Sequence, residues 1–178
     1  MPPPPPPMNV PPGYQPYQAY QQPSVPPFAS WGTRVGGHIV NGLVGLLFGL
    51  PAIISFFVVP TEIQACTVND EPGLCELPTT AGWAIIALLG VVGMVAYLVM
   101  YARMVSATGQ AWGHKAVGVR IVDSSTGGNI SSGKAVLRLI FGHWVDGAVC
   151  YLGYLWPLWD KQRQTFADKI FSTYSIRV

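Results

Sequence analysis

Long apolar stretches alternating with short polar ones set the plan of this chain. No Asp, Glu, Lys or Arg stands between Arg34 and Glu62. At 1.5 Å of helix per residue, the apolar run from about Val35 to Val59 is long enough to cross a hydrocarbon core about 30 Å thick with some tilt. Pro51 should kink it. A second apolar run extends from about Leu77 to Ala102, with Trp83 near one end and Tyr97 and Tyr101 near the other, where interfacial aromatics anchor a helix. A third, Ala135 to Trp159, is interrupted in its first half by Arg138, His143, Trp144 and Asp146. What remains, about 13 residues from Gly147 to Trp159, reaches only some 20 Å as helix, which suits a re-entrant segment, with a plain third crossing as the alternative.

Two stretches alternate like strands: Val117 to Asp123, which stops at Gly127-Gly128, and Thr173 to Val178. Val119 to Val122 can pair with Tyr174 to Val178 only if both lie on one side of the membrane, which would keep Val178 in the cytoplasm. The expected fold is an all-α membrane protein. It has two transmembrane helices, a third re-entrant or spanning helical segment, and a small cytoplasmic β-hairpin-like element.

Ahead of the first span, residues 1–30 hold most of the prolines, in a run from Pro2 to Pro7 and then in Tyr/Gln/Pro repeats. Too few aliphatic side chains are present to offset chain entropy, and proline strings favour solvated polyproline II, so this part is expected to be a disordered cytoplasmic tail preceding a membrane domain at 31–178. It is a solvated tether or a PxxP ligand for a cytoplasmic partner. A basic n-region and an apolar h-region, which would mark a signal peptide, are both missing from it.

Composition sharpens this picture, because 50% of the 178 residues are hydrophobic and only 10% are charged, against roughly 25% charged in a soluble domain. A water-soluble core is thereby disfavoured. Charge also sets orientation, since basic loops are retained in the cytoplasm. The connection from Pro60 to Thr79 carries Glu62, Asp70, Glu71 and Glu76 but no Lys or Arg, while Arg103, Lys115, Arg120 and Lys134 follow the second span. A multi-pass protein of the cell membrane with its N-terminus in the cytoplasm is expected. Cys66 and Cys75 then lie in an oxidising compartment, where they either form a disulfide worth roughly 2–3 kcal/mol or remain free thiols. Cys150 reads as a core packer.

After the second span come Thr108-Gly109-Gln110-Ala111-Trp112-Gly113-His114-Lys115, the first strand, the Arg138 to Asp146 stretch and Gln164-Thr165-Phe166-Ala167-Asp168-Lys169. Together these segments resemble the RDD family of small bacterial membrane proteins over about Trp31 to Val178. The tail and glycine-rich helices look like its actinobacterial, proline-rich members. The family is named for an arginine at the start of its first helix, an aspartate within that helix and a later aspartate. Arg34 matches the first and Asp168 the last, whereas Asn41 stands seven residues after Arg34 where the resemblance would place a carboxylate. The resemblance implies an ill-defined activity in which transport is commonly suspected.

Arg34, His38 and Asn41 recur at i, i+4 and i+7 and so share one helix face, which should point inward. Arg138 interrupts the third segment, and Asp146, Asp160 and Asp168 are the available counter-charges. Polar groups at membrane depth either line a functional cavity or join helices by hydrogen bonds worth about 1 kcal/mol. Gly32 and Gly36, and Gly45 and Gly49, fall at small-xxx-small spacing, fitting either a homodimer or packing against Gly90 and Gly93.

No HExxH, GxSxG, phosphate loop or CxxC pair occurs, and the three histidines are scattered, so catalysis is disfavoured and neither a metal nor another cofactor is implied. The basic residues read as topology determinants and lipid-headgroup contacts, not a nucleic-acid site. Besides the lipid bilayer, the expected partners are further copies of the chain or a larger membrane complex. Three functions remain: transport of a small polar solute or cation, an accessory or scaffolding subunit recruiting partners through its tail, and, disfavoured by the missing catalytic groups, a membrane-embedded enzyme.

Overall fold

The computed structural model describes residues 27–68, 70–148 and 152–178; residues 1–26 of the tail expected at 1–30, and Cys150, lie outside these. The first helix, α1 (Trp31–Phe56), starts at Ser30, whose Oγ accepts from Thr33 N at 3.3 Å, and runs through Pro51. A hairpin of β1 (Thr61–Val68) and β2 (Glu71–Pro78) follows. Next comes α2 (Thr80–Thr108), capped by Thr79 and closed by Gly109 in the left-handed region at φ 74°. Both long helices meet the length and apolarity of a membrane span. Their edges differ from the hydropathic ones because Leu77 and Pro78 are paired in β2 and because helix hydrogen bonding continues past Arg103.

The hairpin is a feature that hydropathy treated as a loop. Thr61 pairs with Pro78 and the register holds to Val68 with Glu71, with Asp70 turning at φ 65°. Cys66 and Cys75 are disulfide-bonded across it, with Cα atoms 5.8 Å apart.

Side chains such as Leu43, Leu46, Leu47, Ile54, Leu88 and Val92 lie 56–63% exposed along α1 and α2, an outward apolar face fit for hydrocarbon. Between the two helices the backbones approach closely, since a Cβ on Gly93 would fall 2.2 Å from the Phe48 carbonyl oxygen. Gly90 likewise faces Ala52, whereas Gly49 faces open space. The pairing of Gly90 and Gly93 with α1 is therefore within the chain.

At the other end of α2 the chain builds a compact cap from α3 (Trp112–Ala116), β3 (Val119–Asp123), α4 (Ser132–Ala148), α5 (Leu152–Leu155), a 3-10 turn at Trp156–Leu158, α6 (Phe166–Ile170) and β4 (Thr173–Arg177). Its core is Tyr101, Val105, Ala111, Ile121, Ile130 and Ala135. As the alternation predicts, β3 pairs antiparallel with β4, Val119 opposite Arg177 and Asp123 opposite Thr173. The other edge of β4 is also occupied. Ala29 N donates to Ser175 O at 2.8 Å, Arg177 N donates to Pro27 O at 2.9 Å, and Phe28 bridges Ile176 while its ring meets Tyr174 at 5.3 Å. Residues 27–30, expected in the disordered tail, thus make an isolated bridge onto the free edge of β4 and supply the cap of α1. Pairing satisfies backbone groups that proline content alone gave no reason to order.

Candidate functional site

Asp168 is the third residue of α6, and Thr165 is the N-cap. Thr165 Oγ1 accepts from Asp168 N at 3.1 Å while Asp168 Oδ2 accepts from Thr165 N at 3.3 Å, a reciprocal capping box that fixes where the carboxylate points. It points at two guanidiniums. Arg34 Nη1, from the first turn of α1, donates to Oδ2 at 2.6 Å; Arg138, from α4, donates to Oδ1 through Nη2 at 2.5 Å and Nε at 3.0 Å. Thr173 Oγ1, at the start of β4, adds a bond to Oδ1 at 2.9 Å.

Arg34 then reaches on to the sheet, its Nε donating to Ala29 O and its Nη2 to Ser175 O, both at 3.4 Å. Side-chain exposure is 7% for Arg34, 10% for Arg138 and 0% for Asp168. Burial on its own would raise the Asp168 carboxyl, but the charges of Arg138 and Arg34 and their hydrogen bonds outweigh it and hold the group well below the ordinary carboxylate value. Desolvating three charges costs several kcal/mol each before attraction offsets it, so the cluster specifies one arrangement of α1, α4, α6 and β4 more than it adds stability.

Asp146 stands beside this cluster, its Oδ1 accepting from Ala167 N at 3.2 Å. A Cβ on Gly153 would lie 2.5 Å from that oxygen, so glycine there lets α5 close over the carboxylate. Asn41 plays a different part. Its Oδ1 accepts from Gly113 N at 2.7 Å, satisfying an otherwise orphaned donor at the start of α3. Gly113 packs so tightly there that a Cβ would fall 1.9 Å from Gly37 O. An amide serves this bond as well as a carboxylate, which accounts physically for asparagine at the position.

Of the polar positions singled out from the sequence, Arg34, Arg138 and Asp168 are brought into direct contact, with Asp146 adjoining. Asn41 is buried on the same face of α1, deeper along the helix, and His38 edges against Tyr154 with ring centroids 5.7 Å apart. Asp160 does not join them. It pairs with exposed Lys169 at 2.6 Å and accepts from the backbone N–H groups of Gln162 and Gln164, a local turn at the surface. Thr165, Thr173 and His114 escaped notice. The first was readable, since Thr165-Phe166-Ala167-Asp168 is a capping-box pattern; the others depend on long-range contacts. The imidazole of His114 is buried and pushed down to about 3 by desolvation and then by the charge of Arg138, and its Nδ1 accepts from Ala111 N at 3.2 Å.

A cavity of about 30 Å³, lined in part by Arg34, His38, Tyr101, His114, Arg138 and Asp146, adjoins the cluster and could hold about two waters. Among the described residues, no group of three His, Cys, Asp or Glu is set to hold a metal ion.

The model of the RDD family matches residues 28–172. The chain belongs to the RDD family. Its Arg34 and Asp168, the positions that matched that family's arginine and later aspartate, are partners in one ion pair. Curated relatives include the "Proline-rich antigen" of Mycobacterium leprae (strain TN), 30% identical over 85% of this chain and 61% of that protein. The "Proline-rich antigen homolog" of Mycobacterium tuberculosis (strain CDC 1551 / Oshkosh) is 30% identical over 85% of this chain and 64% of its own length. The chain thus spans about three-fifths of the length of these relatives. No solved structure matches it.

Proposed function

We propose that this RDD protein is an accessory or scaffolding subunit of the cell membrane, whose helical domain holds a proline-rich tail at a fixed place on the cytoplasmic surface for partners to bind. The observation that carries the reading is the backbone bridge that residues 27–29 make to β4. The root of the tail is hydrogen-bonded to β4, and the Arg34 guanidinium ties that segment, the sheet and Asp168 to the start of α1. A tail needing only a flexible tether would not require such an attachment.

The same sheet supports a topology. Residues before α1, the strand after α2 and the C-terminal strand are hydrogen-bonded together, which supports α1 and α2 crossing once each and α4 with α5 entering and returning on one side. The basic residues after α2 favour the cytoplasm for that side, and the Lys- and Arg-free hairpin with its disulfide favours the outside. Transport remains the second reading, favoured by the polar cavity near α1. Against it, every oxygen of Asp168 is already engaged by protein donors, leaving no free carboxylate oxygen there for a cation.

Deleting residues 1–26 from the full-length protein decides between them. The expected result is normal membrane abundance with loss of the proteins that copurify with the intact chain in mild detergent. Copurification that persists without the tail, or cation flux into proteoliposomes that Asp168→Asn abolishes at preserved protein level, would overturn the proposal. A reporter fused after Val178 checks the topology: alkaline phosphatase activity there would place the C-terminus outside and exclude it.

A further inference from the structure

We infer that the groove between α1, α2, α4 and α5 is a binding site for an anionic single-chain amphiphile, a long hydrocarbon chain ending in one phosphate or carboxylate. The groove is open along its length and offers about 1380 Å³ of space, more than the roughly 300–1,000 Å³ common for closed small-molecule sites. Its walls are hydrocarbon, including Val35, Ile39, Met94, Leu98, Ile140 and Leu155, and Gly42 leaves a bare strip of α1 where an added Cβ would meet nothing within 4 Å. A flexible apolar chain fits such walls.

One end of the groove is different. His38, Leu139, His143 and Tyr154 line both the groove and the 30 Å³ polar cavity, so the two spaces adjoin. The polar cavity also presents the Arg34 and Arg138 guanidiniums. Of the nearby carboxylates, Asp168 is saturated by protein donors and lines neither space, while Asp146 lines the polar cavity but not the groove, its Oδ1 accepting from Ala167 N under Gly153. His38 and His143 are exposed and make no hydrogen bond among the described residues. The groups left facing the groove mouth are therefore N–H donors beside two guanidiniums, complementary to an anionic head through charge-assisted hydrogen bonds.

The depth agrees. From Trp31 to Gly45 the groove follows α1 for about 21 Å, comparable with one leaflet of a bilayer whose full thickness with headgroups is about 40–45 Å. With Trp31 and Arg34 at the helix start, a head at His38 and His143 sits about 10 Å along the groove from Trp31, and its chain follows about 10 Å more of α1 to Gly45 before running on toward the bilayer centre. The site meets the tail root only at Arg34, which the variants below leave in place, so its failure would leave the scaffolding proposal standing.

The test uses the full chain in phosphatidylcholine nanodiscs with two photoactivatable probes, octadecyl phosphate and octadecanol, each bearing a diazirine in the chain. Labelling by the phosphate should saturate, map to Val35–Gly45 and Leu139–Trp144, and be about tenfold tighter than for the alcohol, the worth of one charge-assisted bond. Gly42→Leu fills the open strip and should remove it, while Gly49→Leu, equally unobstructed on the same helix but outside the groove, should not. His38→Ala with His143→Ala should weaken phosphate labelling and leave the alcohol unchanged. Labelling that is equal for both probes, does not saturate and survives Gly42→Leu would be ordinary bilayer contact and would overturn the assignment. So would a copurifying membrane protein lost on Gly42→Leu in the absence of phosphate-selective labelling, since a partner helix would then be the occupant.

Discussion

Asp168→Asn tests the central cluster most directly. Asparagine keeps the size and one acceptor oxygen but removes the charge that two buried guanidiniums share. Breaking a buried pair by deleting one partner costs about 3–5 kcal/mol, because the orphaned charge stays desolvated, and here Arg34 and Arg138 would also repel each other. Arg34→Met removes one of the two cations and leaves Asp168 held by Arg138 and Thr173, so its cost should be nearer 2 kcal/mol, that of hydrogen bonds to a charged group. The double variant should cost less than the sum of the singles, since removing Arg34 relieves one of the charges that Asp168→Asn orphans, with a coupling of about 0.5–3 kcal/mol. Thermal unfolding of the purified full chain in mild detergent reads all three, and for a chain of this size the Asp168→Asn loss corresponds to roughly 10 °C. Arg177→Ala, on an exposed side chain, is the control and should move stability by about 0.5 kcal/mol or less. An Asp168→Asn protein as stable as the parent, or an Arg34→Met protein that falls further than it, would refute the reasoning. In the parent, the depressed carboxyl of Asp168 means that its stabilisation is present above the ordinary carboxylate range and is lost only as pH falls below it.

Three further outcomes follow from single contacts. Gly113→Ala should destabilise by about 1–3 kcal/mol or prevent accumulation, whereas Gly127→Ala, where a Cβ meets nothing and only its positive φ resists, should be milder; equal abundance of the Gly113 variant and the parent would contradict the close packing of α3 on α1. His114 is neutral in the fold at about 3 but takes up a proton near 6.5 when unfolded, so stability should be complete above pH 6.5 and decline as pH falls toward 3, by about 2 kcal/mol between pH 6.5 and 5. His114→Gln should flatten that slope in unfolding scans, and an unchanged slope would show that the ring is not the titrating group. Cys66 and Cys75 should resist a membrane-impermeant thiol reagent on intact cells until reductant is added; modification of both without reductant would remove the disulfide.

Local pattern was enough to locate the two long helices, because an apolar run of that length has few other stable forms. It also located both strands of the cap sheet, whose alternation survives whatever they pair with. Arg34 and Asp168 were legible as a pair of interest through family resemblance and polarity in an apolar setting. Their roles were not. Nothing local distinguishes Asp168, saturated in a buried cluster, from Asp160, left in a surface turn with Lys169, because the difference lies in which helix each carboxylate meets after folding. The ordering of residues 27–30 was equally hidden, since the bridge from Phe28 to Ile176 depends on a partner 148 positions away and leaves little trace in local composition. Asn41 shows the same division: its place on the inward face could be read from helical periodicity, but its bond to Gly113 N exists only because α3 folds back onto α1. Periodicity and hydropathy are properties of neighbours along the chain, so sequence alone determined the membrane-length elements and their faces. Pairing of buried charges depends on contacts between distant segments, and only the tertiary structure decided it.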